Sequence, residues 1–378
     1  MLRLRSISSS YNGRVESVDV IVGGGGIIGL SAALELARNG FRVRVLEKGR
    51  AMSEASWAAA GMLSANDPDH PTELAQLASL SIRLYPEYLS VIEGLSGRAV
   101  PVRTQATLVT SRIGSEFHPN ETKVCPALSV QEAERRVPGL ATDGRYFCWM
   151  EEPSLNPRDL CAALPLAAAA AGVELQQETE VLAVTNRDSA VEVKTQSGTV
   201  SGGAFVNCCG AWAGGVRHSG LERAPAAAVE PRKGQMLAVR VPPPLDLQYV
   251  LRSPEIYLVP RGEGLIAIGA TVERAGFDRR VDPLVVEQLR AQASELWPPM
   301  VSAPVVESWS GLRPGTPDEL PLIGSAGVPH CWMATGHFRN GILLAPATAV
   351  IVRQLLQGSA PEVSLAAFLP GRLMEAAH

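Results

Sequence analysis

Apolar and small residues between positions 18 and 47 follow the pattern of a strand, a helix and a second strand. Positions 18 to 22 are mostly β-branched, which is typical of a short buried strand, and four glycines follow directly. Apolar residues then recur at helical spacing up to Gly40, which is expected to end the helix, and residues 41 to 46 alternate as a second strand. The pattern therefore predicts a β-α-β unit at the start of the chain.

The remainder of the chain mixes predicted helices with short strands. Helical spacing predicts a helix through residue 95 with Thr72 as its cap, and an exposed helix over 285–296. Alternating runs separated by turn residues predict antiparallel strands between 181 and 209, and a hairpin that turns at Gly262 to Gly264. A long apolar helix is predicted near the end of the sequence.

The glycine run contains a dinucleotide-binding motif, G-x-G-x-x-G. Gly24 allows the tight turn, Gly26 lets the backbone approach a pyrophosphate, and Gly29 lets the helix pack on the strand. The helix that follows is expected to aim free N–H groups and its positive end at the phosphates. Glu47 ends the second strand, where a carboxylate holds ribose hydroxyls and disfavours a 2′-phosphate. The ligand is therefore FAD or NAD, and the neighbouring candidates are Gly25, Ile27, Ile28 and Lys48.

A loop rich in small residues follows Glu47. Small side chains let a large group come close, and they also suit a helix start packed on a sheet; the two interpretations are compatible. The candidates for contact with the dinucleotide in this loop are Ser56, Ala59, Ala60 and Gly61.

Two β-rich stretches separate the parts of the dinucleotide-binding unit. We predict a discontinuous cofactor domain and a second, inserted domain that binds substrate, so the fold class is α/β, and α+β overall. The cofactor domain is assigned to residues 17–98, 151–222 and 311–378, and the substrate domain to 99–150 and 223–310. Residues 1–16 are expected to form a flexible N-terminal extension.

Composition and charge exclude several classes of protein. The chain has 378 residues, a net charge of -4 and a pI of about 6.0, so electrostatics gives no reason to expect nucleic acid or an anionic membrane as partner. No uninterrupted apolar run reaches the roughly 18 residues that a membrane span needs. The basic, Ser-rich N-terminal segment lacks the apolar core of a secretory signal.

Cysteine and histidine residues give no sign of a metal site or a disulfide framework. The six cysteines include no C-x-x-C pair, and adjacent Cys208 and Cys209 are expected to be small buried hydrophobes. The six histidines are scattered without i, i+4 pairs, so no metal is predicted. A reducing cytoplasm fits this usage best.

Seven segments spread over nearly the whole chain carry a resemblance to a known family. They are VIVGGGGIIG, SWAAAGML, CCGAWAGG, YLVPR, GATVE, GLRPGTPDELPLIG and TGHFRNGILLAPAT. Through them the chain resembles FAD-dependent oxidases of the D-amino-acid oxidase and sarcosine oxidase superfamily, and especially the glycine oxidases associated with thiamine biosynthesis. The resemblance implies FAD rather than NAD, a Rossmann-like FAD-binding domain with an inserted antiparallel β-sheet substrate domain, and a homo-oligomer, either a tetramer or a dimer.

The resemblance also implies roles for individual residues. Arg313 matches the arginine that binds the substrate carboxylate, for which a guanidinium offers a bidentate fork, and Tyr257 matches a tyrosine of the same anchor. Arg339 matches a second arginine of the site, and Met62 a residue near flavin and substrate. The turn at 336–341 should place a helix N-terminus against the flavin, and its histidine is expected to be structural because the family needs no side-chain base. The cofactor candidates added by the resemblance are Met62, Gly210, Trp212, Gly311, Arg313, His337, Phe338, Arg339, Asn340, Gly341 and Ile342.

Several positions depart from the family pattern. Arg252, Glu255, Val272 and Ser64 replace the residues seen in relatives, and all four are expected at the site entrance, which leaves the amine preference open. Gly23, where a branched residue is common, should slightly loosen the first strand. Relatives that hold flavin covalently carry a Cys ahead of a Thr-Pro-Asp run, and this chain has none between positions 209 and 331. Noncovalent FAD is therefore expected.

The activity implied by the resemblance is oxidative deamination of glycine. A hydride passes from Cα to FAD, O2 is reduced to H2O2, and the imine either yields glyoxylate and ammonia or feeds thiazole formation beside a thiazole synthase. The alternatives are an oxidase of sarcosine or D-amino acids, a dye-linked dehydrogenase, a nicotinamide dehydrogenase, and an FAD-binding protein without turnover.

Overall fold

The computed structural model describes residues 18–67, 70–114, 125–221 and 224–375, so the predicted extension at 1–16 lies outside the described residues. In chain order the strands are β1 (Val18–Gly23), β2 (Val43–Leu46), β3 (Val102–Thr104), β4 (Thr107–Arg112), β5 (Ala127–Leu128), β6 (Arg145–Met150), β7 (Ser154–Leu155), β8 (Glu174–Gln176), β9 (Val181–Arg187), β10 (Ala190–Thr195), β11 (Thr199–Asn207), β12 (Arg217–His218), β13 (Glu230–Arg240), β14 (Val250–Arg252), β15 (Tyr257–Gly262), β16 (Leu265–Gly269), β17 (Val305–Gly315), β18 (Leu322–Ser325) and β19 (Cys331–Thr335). The helices are α1 (Ile27–Arg38), α2 (Ala55–Ala58), α3 (Ala75–Ser96), α4 (Val130–Arg136), α5 (Pro157–Ala170), α6 (Pro283–Leu296), α7 (Gly341–Gln357) and α8 (Arg372–Glu375).

The first sheet is built around β1. Its order is β12-β9-β10-β11-β1-β2-β8, and β19 and β18 extend it from β11. The pairs β11–β1, β1–β2, β2–β8 and β11–β19 are parallel, whereas β9, β10 and β11 form an antiparallel meander. Helices α1, α3, α5 and α7 pack together beside the sheet in one apolar core. The β-α-β unit and the meander predicted from the sequence are confirmed.

The second sheet has the order β17-β13-β16-β15-β14-β4-β6-β5 and is antiparallel except for the β14–β4 pair. The predicted hairpin between 257 and 269 is confirmed as β15 and β16. Strand β17 pairs with β13 of this second sheet and continues past position 311. Position 311 is where the sequence analysis begins the last segment of the cofactor domain. The division into domains remains a proposal.

Two helix predictions need correction. The helix expected from Thr72 begins at Ala75 after a short 3-10 turn, and the Thr72 hydroxyl donates to Glu73 instead of capping the helix. The helix expected to be exposed, α6, buries one face against β13 and β16. Its apolar positions, three and four residues apart, are those of an amphipathic helix on a sheet. Among the described residues, no helix is both long and apolar enough to cross a bilayer.

A disulfide joins Cys125 to Cys148, which the cysteine spacing did not predict. Cys148 lies on β6 opposite Ala127 of β5, so strand pairing brings the two cysteines together. Cys161, Cys208, Cys209 and Cys331 are free thiols; Cys208 is buried as expected, whereas Cys209 is only partly buried.

Removing this disulfide should destabilise the protein measurably. The bond closes a loop of sequence separation 23, for which the chain-entropy model gives about 3 kcal/mol of stabilisation. The variant with serine at both Cys125 and Cys148 should lose about that much free energy of unfolding in a denaturant titration. Alkylation of the unreduced, denatured protein should modify four cysteines, and modification of all six would contradict the pairing.

Candidate active site

One cavity, of about 410 Å³, is lined by residues of both sheets. It brings together the glycine turn after β1 and the turn before α7, some 300 residues apart in sequence. Gly25 and Gly29 do not line it. The candidates that do line it are Gly24, Gly26, Ile27, Ile28, Glu47, Lys48, Ser56, Ala59, Ala60, Gly61, Met62, Gly210, Trp212, Tyr257, Gly311, Arg313, His337, Phe338, Arg339, Asn340, Gly341 and Ile342.

The glycine turn has a backbone that only glycine accommodates. Gly24 has φ +102°, and a Cβ there would lie 2.7 Å from the carbonyl carbon of Cys208. A Cβ on Gly29 would overlap the carbonyl oxygen of Gly24. The first and third glycines therefore let helix α1 start close against the strand ends, as the motif requires.

Glu47 is fixed at the edge of the cavity by two backbone N–H groups. Its carboxylate accepts from the N–H of Gly25 at 2.7 Å and from that of Gly49 at 2.8 Å. Beside it, the Lys48 Nζ lies 3.2 Å from the centroid of the Trp212 ring. Burial lowers the pKa of Lys48, while neighbouring carboxylates oppose the shift. The three side chains form one wall, whose contact with a ribose stays a prediction.

Two helix N-termini open on the cavity and supply donors for an anionic ligand. In the described part of the chain, the N-cap residues of α1 and α7 make no side-chain cap and the first turns contain no acidic residue. One N–H of α1, that of Ile27, already donates to the Ser56 hydroxyl at 2.9 Å. The remaining N–H groups and the positive ends of the helix dipoles favour negative charge. These donors fit the diphosphate of a dinucleotide such as FAD, and the placement of the diphosphate at α1 and of the flavin ring at α7 stays a prediction.

The far wall of the cavity is a row of residues in register on the second sheet. The row runs from Arg252 of β14 through Tyr257 of β15 and Gly269 of β16 to Met236 of β13. The Tyr257 hydroxyl lies 3.8 Å from the Met236 sulfur. Met236 and Gly269 were not among the residues predicted from the sequence, because only the strand register places them beside Tyr257.

Arg313 reaches the same wall from β17. Its Nη1 donates to the carbonyl oxygen of Thr271 at 3.0 Å, and its guanidinium lies over Gly234. A Cβ on Gly234 would lie 2.6 Å from the Arg313 Cζ. The guanidinium can therefore occupy this place only because residue 234 has no side chain.

Gly234→Ala should therefore weaken substrate binding without unfolding the protein. The overlapping group is the end of a flexible side chain, so Arg313 can move away, and a displacement of about 1 Å can cost up to about a hundredfold in rate. We expect at least about a tenfold loss of kcat/KM for an amino-acid substrate with FAD content unchanged. Gly94→Ala is the control, because a Cβ there meets nothing within 4 Å. Equal kinetics for both variants would contradict the placement of Arg313.

The four residues that depart from the family pattern lie on the cavity wall, and their expected place at its entrance stays a prediction. Ser64, Arg252, Glu255 and Val272 all line the cavity. Arg252 forms an ion pair with Asp67 at 2.7 Å, and the His70 Nε2 lies 3.5 Å from the Asp67 carboxylate. Asp67 and His70 were missed, because neither belongs to a motif with a recognisable spacing. Burial is the largest effect on His70 and lowers its pKa.

His337 sits in the turn before α7 as a neutral ring. Its Nε2 is 3.1 Å from the Thr348 hydroxyl, and burial lowers the pKa of the imidazole to about 3. Such a ring stays uncharged over the working range of most enzymes and is a poor base. This supports the expectation that His337 is structural.

The Rossmann-like sheet, the glycine turn and an arginine–tyrosine wall at the opposite end of one cavity define a dinucleotide-dependent oxidoreductase. The DAO family model, described as FAD dependent oxidoreductase, matches residues 19–355. The chain therefore belongs to this family of FAD-dependent oxidoreductases, which identifies the cofactor as FAD.

Individual relatives are glycine oxidases and bifunctional proteins. The chain is 34% identical over 366 residues to the glycine oxidase of Pseudomonas aeruginosa, covering 94% of this chain and 99% of that enzyme. It is 37% identical over 351 residues to the bifunctional protein ThiO/ThiG of Trichormus variabilis, covering 89% of this chain but 52% of the other, so it spans about half the length of such relatives. The crystal structure of glycine oxidase from Geobacillus kaustophilus matches with a TM-score of 0.87 and 33% identity, covering 94% of this chain and 99% of that one.

Proposed function

We propose that the protein oxidises glycine with FAD and O2, giving H2O2 and an imine that water converts to glyoxylate and ammonia. The observation that carries this proposal is the Arg313 guanidinium, which is held over Gly234 on the cavity wall that also carries Tyr257. A carboxylate is the ligand that a guanidinium fork fits best, and the glycine oxidases named above support the choice of amino acid.

FAD, when bound, would supply the redox chemistry, as the acceptor of a hydride from Cα and the donor of electrons to O2. The side chains of this protein bind and orient the substrate. Arg313 and Tyr257 hold the carboxylate, so that the amine and Cα face the ring, and this positioning accounts for much of the rate enhancement. The N-terminus of α7 carries N–H groups and a positive dipole end, which would stabilise negative charge on a reduced flavin ring bound beside it. No side-chain base is required.

The proposed pathway is thiazole formation in thiamine biosynthesis, where the imine itself would be consumed. Relatives in which ThiO is fused to ThiG support a functional link to a thiazole synthase. We further propose noncovalent FAD, a homo-oligomer and a cytoplasmic location. Disulfides such as Cys125–Cys148 are unusual in a reducing compartment. A cytoplasmic location therefore requires that this disulfide resist reduction in the cytoplasm.

A substrate panel tests the proposed activity. Purified protein is supplied with glycine, sarcosine, D-alanine and L-proline, and H2O2, glyoxylate and ammonia are measured. We expect H2O2 with glycine in equal amount to glyoxylate. Turnover only with an artificial dye acceptor would instead indicate a dehydrogenase, and turnover only of sarcosine or D-alanine would indicate one of the related oxidases.

A further inference from the structure

The loop between β16 and α6, residues 270–282, lies against Arg313. Its Thr271 supplies the carbonyl oxygen that accepts from the Arg313 Nη1. Two residues later the loop is bonded to β13, because the N–H of Lys233 donates to the Glu273 carbonyl at 2.9 Å and the N–H of Glu273 donates back at 2.8 Å. The carbonyl that holds the guanidinium is thus fixed by its attachment to a neighbouring strand.

Gln235 ties both ends of this loop to β13. Its side-chain Nε2 donates to the Glu273 carboxylate at 2.9 Å, its Oε1 accepts from the N–H of Asp282 at 2.7 Å, and its backbone N–H donates to the Thr271 hydroxyl at 3.0 Å. The residue is 1% exposed, and every one of these partners belongs to the loop. The side-chain amide therefore joins Glu273 to the end of the loop at Asp282, while the backbone of the same residue holds Thr271.

Glu273 completes the network from the other side. Its carboxylate accepts from the Thr271 hydroxyl as well as from Gln235, and the Nζ of buried Lys233 lies 3.7 Å away. Low local dielectric strengthens a satisfied network of this kind and makes it rigid. Neither Gln235, Glu273 nor Thr271 lines the cavity. The network reaches Arg313 through the Thr271 carbonyl, whereas Val272 of the same loop lines the cavity directly, so the Arg313 background is needed to separate the two routes.

We propose that Gln235 and Glu273 are positioning residues for the Arg313 guanidinium. The inference rests on the proposed function only in that Arg313 binds a carboxylate. One N–H of the guanidinium donates to the Thr271 carbonyl, and the guanidinium lies over Gly234. The remaining N–H donors of Arg313 are therefore oriented before the substrate binds. Holding the fork in place before binding lowers the ordering cost of the carboxylate contact.

The test measures binding of acetate to the FAD-loaded protein, from the change in flavin absorbance. Glu273→Ala should raise the Kd for acetate about tenfold, because misplacing a contact by 1 Å costs up to about a hundredfold. Glu273→Gln keeps an acceptor for Thr271 and Gln235 and should stay within about twofold of the unmodified protein. Asp278→Ala, on the same loop, is the matched control, since Asp278 pairs with exposed Arg280.

Glycine kinetics provide the second readout. In an Arg313→Met background, Glu273→Ala should change kcat/KM less than about twofold, because neighbouring mutations that act through one group are not additive. An equal loss in both backgrounds, or an unchanged Kd for acetate with Glu273→Ala, would overturn the proposal. If that variant loses FAD, Thr271→Val carries the same test, with the same expected tenfold rise in Kd. Acetate binding needs no turnover. A protein that is inactive on glycine would therefore contradict the proposed function, while the acetate measurements would still decide whether Glu273 positions Arg313.

Discussion

Arg313→Ala should raise KM for glycine at least about thirtyfold while the protein keeps its FAD. Removing one partner of a hydrogen-bonded charge pair costs about 2–5 kcal/mol, and each 1.4 kcal/mol is tenfold. Arg313 extends from β17 of the second sheet, whereas the N-terminus of α1, where the diphosphate is expected, packs on the first sheet. Its loss should therefore weaken the substrate carboxylate contact and leave the dinucleotide end intact.

Two further variants separate geometry from charge. Arg313→Lys keeps a cation but loses the planar fork, so we expect an effect between those of the native residue and alanine. Arg280→Ala removes a guanidinium that is 89% exposed and should leave KM unchanged. A rise in KM of less than about threefold for Arg313→Ala would show that the carboxylate is bound elsewhere.

Gly29→Ala should cost the protein its cofactor. An added Cβ would overlap the carbonyl oxygen of Gly24 and lie 3.3 Å from the Cys208 Cβ, so the start of α1 must move away from the strand ends. Overpacking of this kind costs about 1–3 kcal/mol. The same movement shifts the N–H groups that are expected to face the diphosphate, and we expect at least about a tenfold higher Kd for FAD.

The control for this variant is again Gly94→Ala in α3, where a Cβ meets nothing within 4 Å. Alanine is the better helix former by up to about 1 kcal/mol, so this variant should keep its FAD and gain thermal stability. FAD is measured after gel filtration, by the ratio of flavin to protein absorbance. Retention of a full complement of FAD by Gly29→Ala would contradict the role of the third glycine.

Local features of the chain could be predicted because their physical causes lie close in sequence. The β-α-β unit depends on a β-branched run, a glycine turn and helical spacing, all within 30 residues of Val18. Thr72 shows the limit of such reasoning. A 3-10 turn satisfies the first backbone groups there, so the helix begins three residues later and needs no hydroxyl cap.

Features set by strand register could not be predicted. Gly234 and Arg313 meet because β13 and β17 form ten residue pairs, which set Gly234 opposite Gly311, two residues from Arg313, although 79 positions separate Gly234 from Arg313 in sequence. The Cys125–Cys148 bond likewise depends on the pairing of β5 with β6. Periodicity indicates which face of a strand is buried but not which strand lies beside it. The resemblance to known oxidases pointed to Arg313 as a candidate. The contact of its guanidinium with Gly234, and the loop whose Thr271 carbonyl accepts from it, could be found only in the structure.

Glycine held by Arg313 should reduce FAD in this cavity. An anaerobic titration of the purified protein with glycine tests this, because it follows the oxidised flavin band at about 450 nm. We expect glycine to bleach this band, and Arg313→Ala to need at least about thirtyfold more glycine for the same bleaching. A band that stays unchanged with glycine, sarcosine and D-alanine would contradict it and indicate a flavoprotein without this activity.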